Sequence, residues 1–212
     1  MKTALGAVFT GCFLSSFFVA PLNARQSPAP RASFLDRLQV IRIDGVLKAG
    51  GQPVQEGFYA AAGTRLDLSA GGVAVLDFSG QGAVRLQGPA TLQITGGRRP
   101  GVNLVRGKLL GALGGLKSAF TVRARAFDAI VTDGDFYIDL VGRDEMYLCA
   151  CRGTVQMTDD QPDGYRKIIN GEHHRGVGYR FTRMNGRISA MESDHEFEGH
   201  SDEQLDALRA LK

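Results

Sequence analysis

From residue 39 to residue 157 the chain is a succession of short apolar-alternating runs broken by glycine, and no stretch of helical period interrupts them. Val84 and Leu86 alternate with Arg85 and Gln87, and Leu92 and Ile94 with Gln93 and Thr95. Such period-two patterning sends one set of side chains into a core and the other toward water, as a half-buried strand requires. Strand candidates fall at 64–68, 73–78, 83–87, 91–95, 102–105, 119–124, 128–132, 136–141, 146–151 and 154–157. Most of the 28 glycines lie between these runs, where tight turns need them. Asp44-Gly45, between two alternating runs, predicts a hairpin over 39–48. Pro89 and Pro100 suit turns or strand starts. The class is all-β, and a sandwich, a small barrel or a β-solenoid would each satisfy this pitch of short strands.

The ends differ from the middle. Residues 1–24 read as an export signal: Lys2 precedes an uncharged apolar stretch over 3–22, and Ala24 offers a small residue before Arg25. The same stretch is long enough to span a bilayer, so an inner-membrane anchor facing the periplasm is the alternative. Either way the expected location is periplasmic or extracytoplasmic. Phe9-Thr-Gly-Cys12 is a poor lipoprotein box because the apolar segment runs on past Cys12. Residues 25–38 read as a disordered tether, Pro/Ser-rich at first. The β domain occupies 39–158, and the turn cluster Asp159-Asp-Gln-Pro-Asp-Gly164 opens a Cys/His-associated and acidic tail, 159–200. Ser201-Asp-Glu-Gln204 is a capping box, and Leu205, Leu208 and Leu211 follow at helical spacing. This predicts a C-terminal helix over 201–212, too short to stand alone and so expected to dock on the β body.

Net charge is small, with 25 Lys and Arg against 22 Asp and Glu, but its distribution is uneven. No acid occurs between Asp77 and Asp128, while Arg85, Arg98, Arg99, Arg106, Lys108, Lys117, Arg123 and Arg125 fall in that window. From Glu192 to Asp206 the sign reverses. These are either two solvated surfaces or a basic face for an envelope protein or anionic ligand, with Arg85, Arg98, Arg99, Arg106, Lys108, Arg123 and Arg125 as its contacts. No aromatics interleave with the arginines, which argues against nucleic acid.

Cys149 and Cys151 are the only cysteines after the first 24 residues. In a strand both thiols leave the same face, with β-carbons roughly 6–7 Å apart. A disulfide wants about 3.5–4.5 Å, so a bridge would be strained, although export normally favours one. Two thiols on one face can instead converge on one zinc or ferrous ion, with imidazole completing a tetrahedral shell. His173, His174 and His200 are the candidates. Adjacent residues of a strand point opposite ways, so only one of His173 and His174 joins easily unless a turn, permitted by Gly171 and Gly176, intervenes. The other readings are two buried packing cysteines beside a solvated histidine pair, and a thiol-redox pair. His195, among Asp194, Glu196 and Glu198, reads as a surface residue. No nucleophile elbow, metalloprotease helix motif or phosphate-cradling loop occurs, and Asp133, Asp135 and Asp139 lack the rest of a calcium loop. The chain is therefore expected to be non-enzymatic.

Several runs also occur in a familiar order. Val73-Ala-Val-Leu-Asp-Phe-Ser-Gly80, Val84-Arg-Leu-Gln-Gly-Pro-Ala-Thr-Leu92 and Val105-Arg-Gly-Lys-Leu109 precede Phe120-Thr-Val-Arg-Ala124, Gly134-Asp-Phe-Tyr-Ile138 and Gly153-Thr-Val-Gln-Met157. In this order they resemble the FecR domain over residues 40–158. It resembles still more closely a subset of FecR-domain proteins that carry a C-x-C strand, a downstream His pair and a terminal H-[ST]-D-E-x-L helix, here Cys149-Ala-Cys151, His173-His174 and His200-Ser-Asp-Glu-Gln-Leu205. The family's G-T-x-F element reads Asp133-Gly-Asp-Phe136, a departure. The resemblance implies a β-helix-like or jelly-roll-like body working outside the cytoplasm. FecR proteins in the strict sense regulate sigma factors through a cytoplasmic segment, and only Met1-Lys2 precedes the apolar stretch here, so no sigma-factor contact is expected.

Overall fold

The computed structural model describes residues 37–78, 80–96, 101–114, 119–159, 164–184, 187–193 and 199–211. The export segment, most of the tether, Arg98, Arg99, Pro100, Lys117 and His195 with its acidic neighbours lie outside them. Among the described residues no helix is long and apolar enough to cross a membrane.

Among the described residues, fourteen strands and one helix follow in order. The strands are β1 Arg37–Asp44, β2 Leu47–Ala49, β3 Gln52–Pro53, β4 Tyr59–Ala61, β5 Arg65–Leu68, β6 Val73–Asp77, β7 Gly82–Thr95, β8 Gly101–Leu113, β9 Phe120–Ala124, β10 Phe127–Leu140, β11 Glu145–Asp159, β12 Arg166–Gly171, β13 Arg175–Met184 and β14 Arg187–Ser193. The helix is α1, Asp202–Arg209. The all-β class with a terminal helix is thus what the structure shows. Among the described residues all pairings are antiparallel except β8 with β9, unlike the stacked parallel coils of a β-helix.

Strands β7, β8, β10 and β11 are 13 to 15 residues long, and each changes partners along its length. Gly82 to Gln87 of β7 pair with the C-terminal half of β8, whose other side pairs with Gly134 to Leu140 of β10. The first half of β10 pairs instead with β9 and the end of β11. One layer therefore runs β1-β6-β7-β8-β10-β11-β13-β14, and the other halves of the long strands build a second layer with β5, β9 and β12. The passage between layers needs residues that other side chains could not replace. Gly134 has φ +130°, and a Cβ there would lie 2.1 Å from the Arg152 carbonyl oxygen. Register breaks flank it on both sides. Sequence patterning stops a strand at such glycines, whereas the ladder bends and continues.

The inner faces share one core. Leu86, Leu109, Ile138 and Leu148 from the first layer meet Leu92, Leu104, Val122 and Val155 from the second. Phe78 stacks edge-on against Phe120 at 4.6 Å, and Phe127 packs on Phe181.

Three sequence expectations are corrected. Asp44-Gly45 makes a turn, but no hairpin: β1 pairs with β4 and β6, β2 with β3 and β5, so the chain crosses between layers there. The β body does not end at 158, because β12, β13 and β14 extend it to Ser193. The terminal helix has eight residues, and Ser201, at its N-cap, makes no side-chain cap hydrogen bond. Its stability comes from packing.

The outer face of the first layer positions the site. Arg42, Val75, Arg85, Leu110, Tyr137 and Cys149 follow one another as lateral partners across β1, β6, β7, β8, β10 and β11. Val75, Ala83, Leu110, Ala112, Tyr137, Tyr147, Cys149 and Cys151 form a second buried cluster there, closed by Leu205 and Leu208 of α1. Burying each leucine stabilises the docked helix by about 1.5–3 kcal/mol.

The bend at Gly134 yields a first prediction. Gly134→Ala meets a disfavoured φ and a backbone clash, and should destabilise the fold by about 2–4 kcal/mol in urea unfolding. A loss under about 0.5 kcal/mol, the range of ordinary surface changes, would contradict this account of the bend.

Candidate metal centre

Alternation along β11 sends Leu148 and Ala150 into the main core and Cys149 and Cys151 to the outer face. Both cysteines are buried and unbridged, with Sγ atoms 3.6 Å apart. The sulfurs lean together more closely than the β-carbon spacing alone requires.

Two segments bring imidazole to them. His174 lies in the turn between β12 and β13, at φ +43°, and its backbone N–H donates to the Cys151 carbonyl at 3.0 Å. The turn resolves the adjacent-histidine problem. His174 faces inward, Nδ1 3.8 Å from Cys149 Sγ. His173 faces outward, its side chain 73% exposed, and is not one of the convergent four. His200 immediately precedes Ser201 and α1. It is 6% exposed, and its ring stacks on Tyr137 at 4.3 Å. Its Nε2 lies 3.0 Å from Cys151 Sγ and 3.1 Å from His174 Nδ1.

The four potential ligand atoms of Cys149, Cys151, His174 and His200 all lie within 4.8 Å of one another. A tetrahedral zinc ion, at about 2.3 Å from sulfur and 2.0–2.1 Å from nitrogen, sets ligand–ligand edges of about 3.3–3.8 Å. Four of the six separations, 3.0, 3.1, 3.6 and 3.8 Å, lie within about 0.5 Å of those edges, and all six are within 4.8 Å.

Asp202, in the first turn of α1, completes the arrangement. His174 Nε2 lies 2.8 Å from its Oδ1. With Nε2–H donating to this carboxylate, the lone pair of Nδ1 is left facing the sulfurs, the outer-shell device common at metal-bound histidine. Asp202 also lies 3.9 Å from His173 Nε2. Sequence patterning assigned Asp202 only to the helix end. Its second role depends on where α1 docks, which no local pattern encodes.

Electrostatics favour deprotonation of one thiol. The Cys149 thiol is pulled down to about 5, chiefly by the hydrogen bond from Cys151, against the opposing effect of burial and with help from His200 and His174. Cys151 is pushed up by its bond to Cys149 and by burial. Burial would lower His174, but its hydrogen bonds to Asp202 and Cys149 outweigh that and raise it. The metal-free cluster thus favours a thiolate at Cys149, while Cys151 and His174 tend to keep protons that an incoming ion would displace.

The suspected basic face is divided between the layers. Lys108 pairs with Asp139 at 3.1 Å and Arg123 with Asp128 at 2.8 Å, each acid supplied by the neighbouring β10. Arg125 donates to the Gly142 carbonyl, and Arg106 lies near enough to Asp67 to lower its carboxyl, after the larger effects of Arg65 and Thr91. Arg85 sits half-buried beside α1.

No known family profile and no curated protein matches the chain. Among solved structures, two crystal structures of a "putative anti-sigma factor" from Parabacteroides distasonis are similar at 16% identity and a TM-score of 0.47. The likeness covers 62% of this chain and 60% of that one.

The lowered Cys149 thiol can be observed directly. Metal-free protein should gain about one equivalent of thiolate absorbance near 240 nm in a step centred near pH 5. Replacing Cys151 with Ala, which removes the donor, should move the step upward, toward the ordinary thiol value of about 8.5. A wild-type step already at that ordinary value would contradict the hydrogen-bonded pair.

Proposed function

We propose that the protein is an exported, non-enzymatic β-domain protein that binds one transition-metal ion, zinc or ferrous iron, through Cys149, Cys151, His174 and His200. The convergence of these four ligand atoms, from three separate segments, within 4.8 Å is the observation that carries the proposal. Export is supported by the leader-like residues 1–24. The ligand set is closed, with two thiolates and two imidazoles and no place reserved for substrate, as in structural rather than catalytic sites. The ion's role is to fasten the C-terminal segment: His200 binds it directly, and Asp202 orients His174 from the first turn of α1. Metal coordination would also protect two thiols from oxidation in a disulfide-forming compartment.

Elemental analysis of purified protein should find about one metal ion per chain, and none in Cys149→Ser/Cys151→Ser. His173→Ala should keep the ion, because His173 points outward. Asp202→Asn should weaken metal affinity by about 10–100-fold while leaving stoichiometry at saturation unchanged. Absence of metal from the wild-type protein after reconstitution, or equal metal in the double mutant, would defeat the proposal. Chelation should also release α1, read as amide exchange over 202–209 at least about tenfold faster. Unchanged exchange would show that the ion does not fasten the helix.

A further inference from the structure

A second flank of α1 faces a separate cleft. Its volume is about 660 Å3, within the range of small-ligand sites, and it is lined by Arg42, Val75 and Arg85 from the sheet and by Gln204, Leu208 and Leu211 from the helix. Arg42 and Arg85 flank Val75 as its two lateral partners, so two guanidinium groups share one site. Other cations on this face have partners: Lys108 has Asp139, while Arg152 and Arg209 share Asp135. Among the described residues neither Arg42 nor Arg85 forms an ion pair. The Arg85 Nε is buried without a hydrogen-bond partner, and so is Gln204 Oε1 on the facing wall. Burial, and then Arg42, lower Arg85 from its ordinary value, so the charge sits at a cost that an anion would offset. A donor and an acceptor, both unsatisfied, thus belong to the lining of one cleft.

We propose that this cleft binds the carboxyl-terminal residue of a peptide bearing an apolar side chain. Its carboxylate accepts hydrogen bonds from Arg85 and Arg42, the charge-assisted geometry that guanidinium provides. Its amide N–H donates to Gln204 Oε1, and its side chain packs on Val75, Leu208 and Leu211. This places the free α-carboxylate, the amide and the side chain in one cleft, a recognised mode of terminal capture. Asp44 and Glu56, exposed at the rim, would repel a second negative charge and so select against acidic peptides. The site needs α1 docked, which the proposed ion would reinforce, so the binding test is run on metal-loaded protein and on His173→Ala, where the ion is kept, and the arginine variants separate its failure from failure of the metal centre.

The test is fluorescence anisotropy of a labelled pentapeptide ending in Leu-Leu, titrated with the full chain. The free acid should bind saturably. The same peptide as its terminal amide should bind about tenfold more weakly or worse, as expected for loss of a hydrogen bond to a charged group. Arg85→Gln should abolish the preference for acid over amide, and a peptide ending in Glu should bind more weakly than Leu-Leu. Should Arg85→Gln misfold, exposed Arg42→Gln provides the second arm, with a several-fold loss for the acid alone. N-acetyl-leucine carries the carboxylate, the amide and the side chain that the cleft holds, so it should compete, and failure to compete at high excess would count against the proposal. Equal binding of acid and amide, an unchanged preference in both arginine variants, or no saturable binding would overturn the proposal.

Discussion

Both thiols leave β11 on the face turned away from the main core because Cys149 and Cys151 are two residues apart, in a strand whose other side, Leu148 and Ala150, fills that core. The same alternation lines the outer face with Val75, Leu110 and Tyr137, an apolar surface that needs a cover. The C-terminal segment supplies it. His200 stacks on Tyr137, Leu205 and Leu208 close the cluster, and Arg209 reaches Asp135, a carboxylate only 2% exposed. Register in one strand thus decides where the thiols, the helix and the imidazole of His200 meet.

An eight-residue helix without a side-chain cap has little stability of its own. It is held at its N-terminal end by the Cys/His cluster, along its length by two leucines, and near its C-terminal end by Arg209. An ion at the cluster would therefore act on the whole segment, since metal affinity for a site assembled by folding is also folding free energy. One flank of that helix closes the proposed metal centre, and another forms a wall of the arginine cleft.

Much of this was legible in the sequence, for local reasons. Period-two alternation identified the β class, and the C-x-C spacing put both sulfurs on one side. The heptad-like Leu205 and Leu208 foretold a docked helix. Other features depend on which strands become neighbours. Asp128 and Asp139 pair with Arg123 and Lys108 from across the ladder, so these two cations of the basic window carry counter-ions that the window itself does not reveal. Gly134 ends a pattern in the sequence but only bends a strand in the fold. Strands β12 to β14 were missed although Tyr179 and Phe181 alternate with Gly178 and Arg180, because the acidic and basic residues around them mask the signal. His174 could be separated from His173 only by the turn that holds it at positive φ.

X-ray absorption spectroscopy of the metal-loaded protein tests the central claim most directly. A shell of two sulfurs at about 2.3 Å and two imidazole nitrogens at about 2.0–2.1 Å is the predicted result for zinc. A shell of oxygen ligands, or one lacking sulfur, would contradict the account.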